Sequence, residues 1–102
     1  MLLTQSKKDD IKRELVACLC TEAEITKIVV FGSFLTASDP HDLDVAVFQN
    51  SNEDYLPLAM RYRKKTRMIS RRIAVDILPI KADARSGAML ESIAQGDVIY
   101  ER

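Results

Sequence analysis

The chain has 102 residues, 47% of them apolar and 29% charged, which suits a single folded domain over residues 1–102 with one core. Fifteen basic residues balance fifteen acidic ones, so net charge argues for neither a nucleic acid nor a membrane partner. No apolar stretch nears the roughly 20 residues that cross a bilayer, and the N-terminal segment turns charged by Lys7, unlike a secretory signal; a cytoplasmic protein is expected.

In chain order, Ser6 with Asp9 three residues later reads as a helix N-cap. Ile11, Leu15, Cys18 and Leu19 then recur at helical spacing, predicting an amphipathic helix from Lys7 to about Thr21. Cys18 and Cys20 stand two apart on it and cannot face each other. They read as buried free thiols of a reducing compartment rather than a disulfide or a metal pair. Ile25 to Phe31 is β-branched and apolar, hence a strand. Gly32-Ser33 closes it, and a loop rich in Ser, Asp and Pro runs to His41. Asp42 to Phe48 is the second strand, and Gln49 to Glu53 a polar turn.

Asp54 as N-cap and Pro57 in the first turn predict a second helix, with Leu58, Ala59, Tyr62, Thr66 and Ile69 as its buried stripe. Arg71 to Ile80 reads as a third strand ending near Pro79. Ser86 is placed to cap a short helix through Gln95, with Gly96 at its C′ position. Asp97 to Tyr100 completes the pattern as a last strand. The order α-β-β-α-β-α-β predicts an α+β fold, a small sheet with helices mainly on one face, since there are too few helices to cover two.

The second strand raises a chemical question. Side chains alternate along a strand, so Leu43, Val45 and Val47 share one face while Asp42, Asp44, Ala46 and Phe48 share the other. In the third strand Ile73, Val75 and Ile77 take one face and Ala74, Asp76 and Leu78 the other. If the apolar faces meet the helices and the strands are neighbours, Asp42, Asp44 and Asp76 converge on the opposite side. Two carboxylates about 4 Å apart repel by roughly 4 kcal/mol at an effective dielectric near 20. Three converging carboxylates therefore need a proton or a cation among them. Mg2+ commonly joins protein carboxylates to a substrate phosphate, and paired metals can clamp a phosphoryl displacement. Taken alone, Asp42 reads as a solvated strand-start residue. Asp76, in the apolar run IAVDILPI, would be expensive there without a function. Gly32 permits positive φ or close backbone approach, and Ser33 adds a hydroxyl and an N–H able to hold phosphate oxygens. Taken alone, the pair reads as a plain turn.

Together, Gly32-Ser33, Asp42-Leu43-Asp44-Val45 and Asp76 in its apolar strand resemble the signature of the DNA polymerase beta nucleotidyltransferase superfamily. By size the chain resembles its smallest branch, the minimal nucleotidyltransferases (MNT), often encoded beside a HEPN-domain protein. The ending MLESIAQGDVIYER is similar to that family's terminal helix, Gly turn and Tyr-bearing strand. The resemblance spans roughly Thr26 to Arg102. It implies a mixed sheet with helices on one side and a nucleotide cleft on the other. It also implies Mg2+-dependent (or Mn2+-dependent) transfer of a nucleoside monophosphate from a nucleoside triphosphate, expected to be ATP, to a hydroxyl. In that scheme Asp42, Asp44 and Asp76 ligate metal, Asp76 helps deprotonate the acceptor, and Gly32 and Ser33 hold the triphosphate. Some MNT proteins are antitoxins that adenylylate a tyrosine of a HEPN toxin, so a HEPN-type partner supplying the acceptor is expected.

The loop FLTASDPH between Ser33 and Asp42 is shorter than in many minimal members and lacks the Arg many of them place after Gly-Ser. Thr36, Ser38 and His41 are the donors available in its stead, with His41 read as a bystander. The alternatives are a degenerate antitoxin that acts by contact, and nucleotidyl transfer to a small molecule or an RNA end. The run RYRKKTRMISRR holds seven of the fifteen basic residues in twelve positions. With Tyr62, Thr66 and Ile69 inward, Arg61, Lys64, Lys65 and Arg67 are expected on a solvated arc, the rival reading being a docking surface for RNA or an acidic partner. Nucleic acid binding and homo-oligomerisation stay open.

Overall fold

The computed structural model describes residues 2–84 and 88–102. In chain order it contains α1 (Gln5–Leu19), β1 (Ile25–Phe31), α2 (Ser33–Thr36), β2 (Asp42–Gln49), α3 (Tyr55–Lys65), α4 (Arg67–Ser70), β3 (Ala74–Lys81), α5 (Ala88–Ala94) and β4 (Asp97–Glu101). The four strands form one mixed sheet in the order β3-β2-β1-β4. β1 is antiparallel to both of its neighbours, and β2 runs parallel to β3. A parallel pair needs a crossover connection, and α3 and α4 provide it.

The alternation read from the strands sets the two layers. Ile28, Val30, Leu43, Val45, Val47 and Ile77 point to one face, where they pack with Leu15 and Leu19 of α1, Leu58 and Tyr62 of α3 and Ile69 of α4. Each such apolar side chain contributes about 1.5–3 kcal/mol by leaving water. Val29, Phe31, Ala46 and Phe48 point the other way and pack with Ile93 and the partly buried Leu90 of α5. Helices therefore lie mainly, not wholly, on one face. No helix of the described residues is long and apolar enough to cross a membrane.

Several expected boundaries shift for local reasons. The N-cap of α1 is Thr4, not Ser6: the Thr4 hydroxyl accepts from the Lys7 N–H at 3.2 Å. The buried Leu3, whose N–H donates to the Ser38 carbonyl at 3.0 Å, holds the preceding chain extended. α1 stops at Leu19 rather than Thr21, and the following turn delivers Glu22 and Glu24 to Arg61 of α3. Cys18 and Cys20 are free but only half-buried.

The loop after Gly32 contains the short helix α2, pinned by the buried Phe34. The Lys8 ammonium, itself buried, donates to the Ala37 carbonyl at 2.7 Å. Asp54 holds the N-cap position of α3 without a side-chain cap bond. The expected stripe of Leu58, Ala59, Tyr62, Thr66 and Ile69 is wholly buried. The helix breaks at Thr66, however, whose hydroxyl bonds back to the carbonyls of Tyr62 (3.0 Å) and Arg63 (3.2 Å), a contact that bends helices.

β3 begins at Ala74 rather than Arg71 and continues through Pro79 to Lys81. Proline is tolerated because β3 is an outer strand and donates on one side only. Ser86 lies outside the described residues. Gly96 keeps an ordinary φ and is needed for close approach, since a Cβ there would lie 2.6 Å from the Val30 carbonyl oxygen.

Candidate active site

Three adjacent strands carry the site. Phe31, Asp44 and Asp76 occupy one row across β1, β2 and β3: Phe31 is the partner of Asp44, and Asp44 of Asp76. All three belong to the face opposite α1 and α3, as the alternation requires. Parallel neighbours lie about 4.8 Å apart, so the Asp44 and Asp76 side chains stand next to each other. Asp42 shares their face one step toward the start of β2, opposite Ala74. It is exposed, and so is Asp76, contrary to the burial expected from its apolar run, because β3 is an outer strand; the half-buried carboxylate is Asp44.

The electrostatics follow. Burial pushes the Asp44 carboxyl above its ordinary value, and the carboxylates of Asp76 and Asp42 push it further the same way. Both causes disfavour charge on Asp44, so the native fold holds this group against its own preference.

Gly32 ties the turn to the carboxylates. Its φ is +79°, and a Cβ there would lie 2.6 Å from Asp44 Oδ2. Only glycine combines that backbone conformation with that approach. Ser33 follows it, exposed, at the start of α2. The turn and the acid pair, eleven residues apart in sequence by the positions of Ser33 and Asp44, thus meet in space.

A cavity of about 210 Å³ opens beside the row, lined by Phe31, Asp44, Asp76 and Leu78 together with Tyr55 and Arg63 of α3. The sequence reading did not single out Tyr55 or Arg63 for the site. Their only signal was position in a basic helix, and it takes the packing of α3 along β3 to bring that helix to the acids. His41, read as a bystander, is exposed in the loop.

The expected solvated basic arc needs correction at Arg61. Its guanidinium is held by Glu22 (2.9 Å), Glu24 (2.9 Å) and both oxygens of Glu53 (2.7 and 2.8 Å). The buried Tyr62 hydroxyl donates to Glu24 at 2.8 Å. Burial alone would raise Glu24, but bonds from Tyr62, its own backbone and Arg61 prevail and hold it below its ordinary value. Arg72 pairs with Glu14, and Lys65 approaches Glu22 at 3.8 Å.

For a divalent cation the test is the donor set. Among the described residues no three Asp, Glu, His or Cys side chains form a group able to hold a metal ion by themselves. The carboxylate oxygens of Asp44 and Asp76, with Asp42 one step away, nevertheless suit a hard cation whose remaining ligands come from substrate phosphates. Such a cation would also relieve the repulsion acting on Asp44.

Fold and site together describe a nucleotidyltransferase domain. Residues 13–102 match the family model described as polymerase beta, nucleotidyltransferase, and the chain belongs to that family. No curated protein matches it in sequence. Among solved structures, it is similar to a chain in the complex of tri-AMPylated Shewanella oneidensis HEPN toxin with MNT antitoxin, with TM-score 0.70, 15% identity, and coverage of 93% of this chain and 73% of that one. It is similar also to a chain of the toxin–antitoxin MntA–HepT, with TM-score 0.67, 14% identity and coverage of 92% and 73%. A toxin–antitoxin crystal structure with AMP-PNP gives TM-score 0.69, 16% identity and coverage of 89% and 73%. At such identities the likeness is one of fold.

Proposed function

We propose that this chain transfers a nucleoside monophosphate, AMP by preference, from a nucleoside triphosphate to a hydroxyl on a partner protein of HEPN type, and so acts as an antitoxin. The observation that carries the reading is the pairing of Asp44 with Asp76 across parallel strands, with the Gly32 backbone closed against Asp44. The family supplies the reaction class, and the complex of a HEPN toxin with its MNT antitoxin suggests the partner.

In this reading Gly32 and Ser33 hold the triphosphate, and Asp42, Asp44 and Asp76 face the α-phosphate. The acceptor oxygen forms a bond to the α-phosphorus as the bond from that phosphorus to its bridging oxygen breaks. Pyrophosphate leaves with the electron pair, and the acceptor proton passes to the Asp76 carboxylate. Asp42, Asp44 and Asp76 would hold Mg2+, or Mn2+ in its place, which supplies charge neutralisation at the phosphates. The rest of the work is positioning, the usual demand of phosphoryl transfer.

The test is incubation of the chain with α-labelled ATP, Mg2+ and the protein encoded beside it. Label on that protein, lost in Asp44→Asn and in Asp76→Asn, is the expected result. Neutralisation of the partner without label, and undiminished in Asp44→Asn, would replace transfer by inhibition through contact. That second reading draws on the Arg-less loop FLTASDPH.

A further inference from the structure

The outer face of α3 and α4 has a composition that a solvated helix does not need. Leu56 and Met60, one turn apart, are each 61% exposed. Arg63 and Lys64 continue the stripe, the four residues falling within about 100° of arc on α3 at helical spacing, and the exposed Arg67 follows at the start of α4, past the break at Thr66. Among the described residues, Arg63, Lys64 and Arg67 have no ion pair, although Arg61, Lys65 and Arg72 of the same run are all engaged by glutamates. The three cations of this face thus form no ion pair among the described residues, nor does Arg71, which lies away from it beside Leu3 and Lys7.

That stripe adjoins the candidate site on a particular side. Gly32 and Ser33 lie at the β1 end of the row, Asp44 in the middle and Asp76 on the outer strand. Arg63 and the half-exposed Tyr55 line the cavity at Asp44 and Asp76 from α3, which packs along β3. On the nucleotidyl-transfer reading, a triphosphate held at Gly32–Ser33 would fill the β1 side of the row and leave the α3 side of Asp76 for the acceptor.

We propose that the outer face of α3 and α4 is the acceptor-docking surface. It takes a protein segment that carries acidic and apolar side chains beside the hydroxyl to be modified. The acidic character answers Arg63, Lys64 and Arg67, and the apolar character answers Leu56 and Met60. A nucleic acid would use the cations but leave the two apolar side chains in water, so the protein segment is the better match. The proposal rests on the nucleotidyl-transfer reading for its orientation, and the test separates the two.

The probe is a random copolymer of Glu and Tyr, compared with one of Lys and Tyr and with a single-stranded oligoribonucleotide. Binding is measured without nucleotide, and AMP transfer from labelled ATP separately. The expected result is saturable binding of the Glu,Tyr copolymer. Affinity should fall at least tenfold in Lys64→Glu/Arg67→Glu, and independently in Met60→Asp, with a much smaller change in ATP affinity. Circular dichroism confirms that these surface variants fold. Three results overturn the proposal: no saturable binding of the Glu,Tyr copolymer, equal binding of the Lys,Tyr copolymer, or variants that bind like the parent. Tighter binding of the oligoribonucleotide, weakened by the charge reversals but not by Met60→Asp, also overturns it in favour of a nucleic acid face. If docking depends on these residues but no AMP is transferred, the docking surface stands and the transfer reading fails.

Discussion

Replacing Asp44 by Asn should make the protein more stable while removing the activity proposed for it. Asp44 is half-buried and stands beside Asp76 on the neighbouring strand, with Asp42 close by on its own. Two unit charges about 5 Å apart repel by roughly 0.8 kcal/mol in water and about 3 kcal/mol at an effective dielectric of 20. Asp76 and Asp42 are exposed, so solvent screening puts the relief near the lower figure, about 1 kcal/mol. For a domain of about 100 residues that raises Tm by roughly 4–8 °C. The sign with pH is fixed by the direction of the shift. A carboxyl whose pKa is raised by folding binds its proton more tightly in the native state, so its contribution favours the fold below its ordinary value of 3.8 and is lost as pH rises through the higher folded value. The gain in Asp44→Asn should therefore be small near pH 4 and full by pH 7. Thermal melts of both proteins from pH 4 to 8, in chelator, measure it directly. A variant less stable than the parent at pH 7, or a gain greatest at pH 4, would refute the electrostatic account of the site.

The same site predicts that ATP with Mg2+ or Mn2+ raises the parent's Tm, by about 2.7 kcal/mol of added stability at a hundredfold excess over Kd, and that Asp44→Asn and Asp76→Asn lose most of this gain in melts with and without ligand. Gly32→Ala forces a side chain into left-handed backbone and its Cβ onto Asp44 Oδ2. It should cost about 1–2 kcal/mol in denaturant melts and, by displacing Asp44, abolish metal-dependent ATP binding as well. Tyr62→Phe removes a buried hydroxyl donor from Glu24 and should cost about 1.5–2 kcal/mol in urea titrations. Glu24 is held below its ordinary value of 4.5, so its contribution is complete above that value and lost as pH falls through the lower folded value; acid unfolding of Glu24→Gln should lack that component.

The carboxylate face was legible because strand alternation is a local rule. Once VDI and DLDV are strands with valine, leucine and isoleucine on the buried side, Asp42, Asp44 and Asp76 have no choice but the opposite one. The stripe from Leu58 to Ile69 was legible for the same reason, at helical period. Local pattern could not say that β2 and β3 are neighbours in parallel, nor that Asp44 and Asp76 fall in one row, because register is set by packing across the whole sheet. Nor could it say that Gly32 touches Asp44, that Pro79 sits on an outer strand, or that α5 crosses to the second face. The basic run is the clearest division. Its charge and periodicity were plain in the sequence, but which members are neutralised depends on glutamates from α1, the α1–β1 turn and the β2–α3 turn. Sequence thus settled which side chains share a face, since that follows from backbone geometry residue by residue. Only the tertiary structure decided which faces meet, because that depends on contacts between segments far apart along the chain.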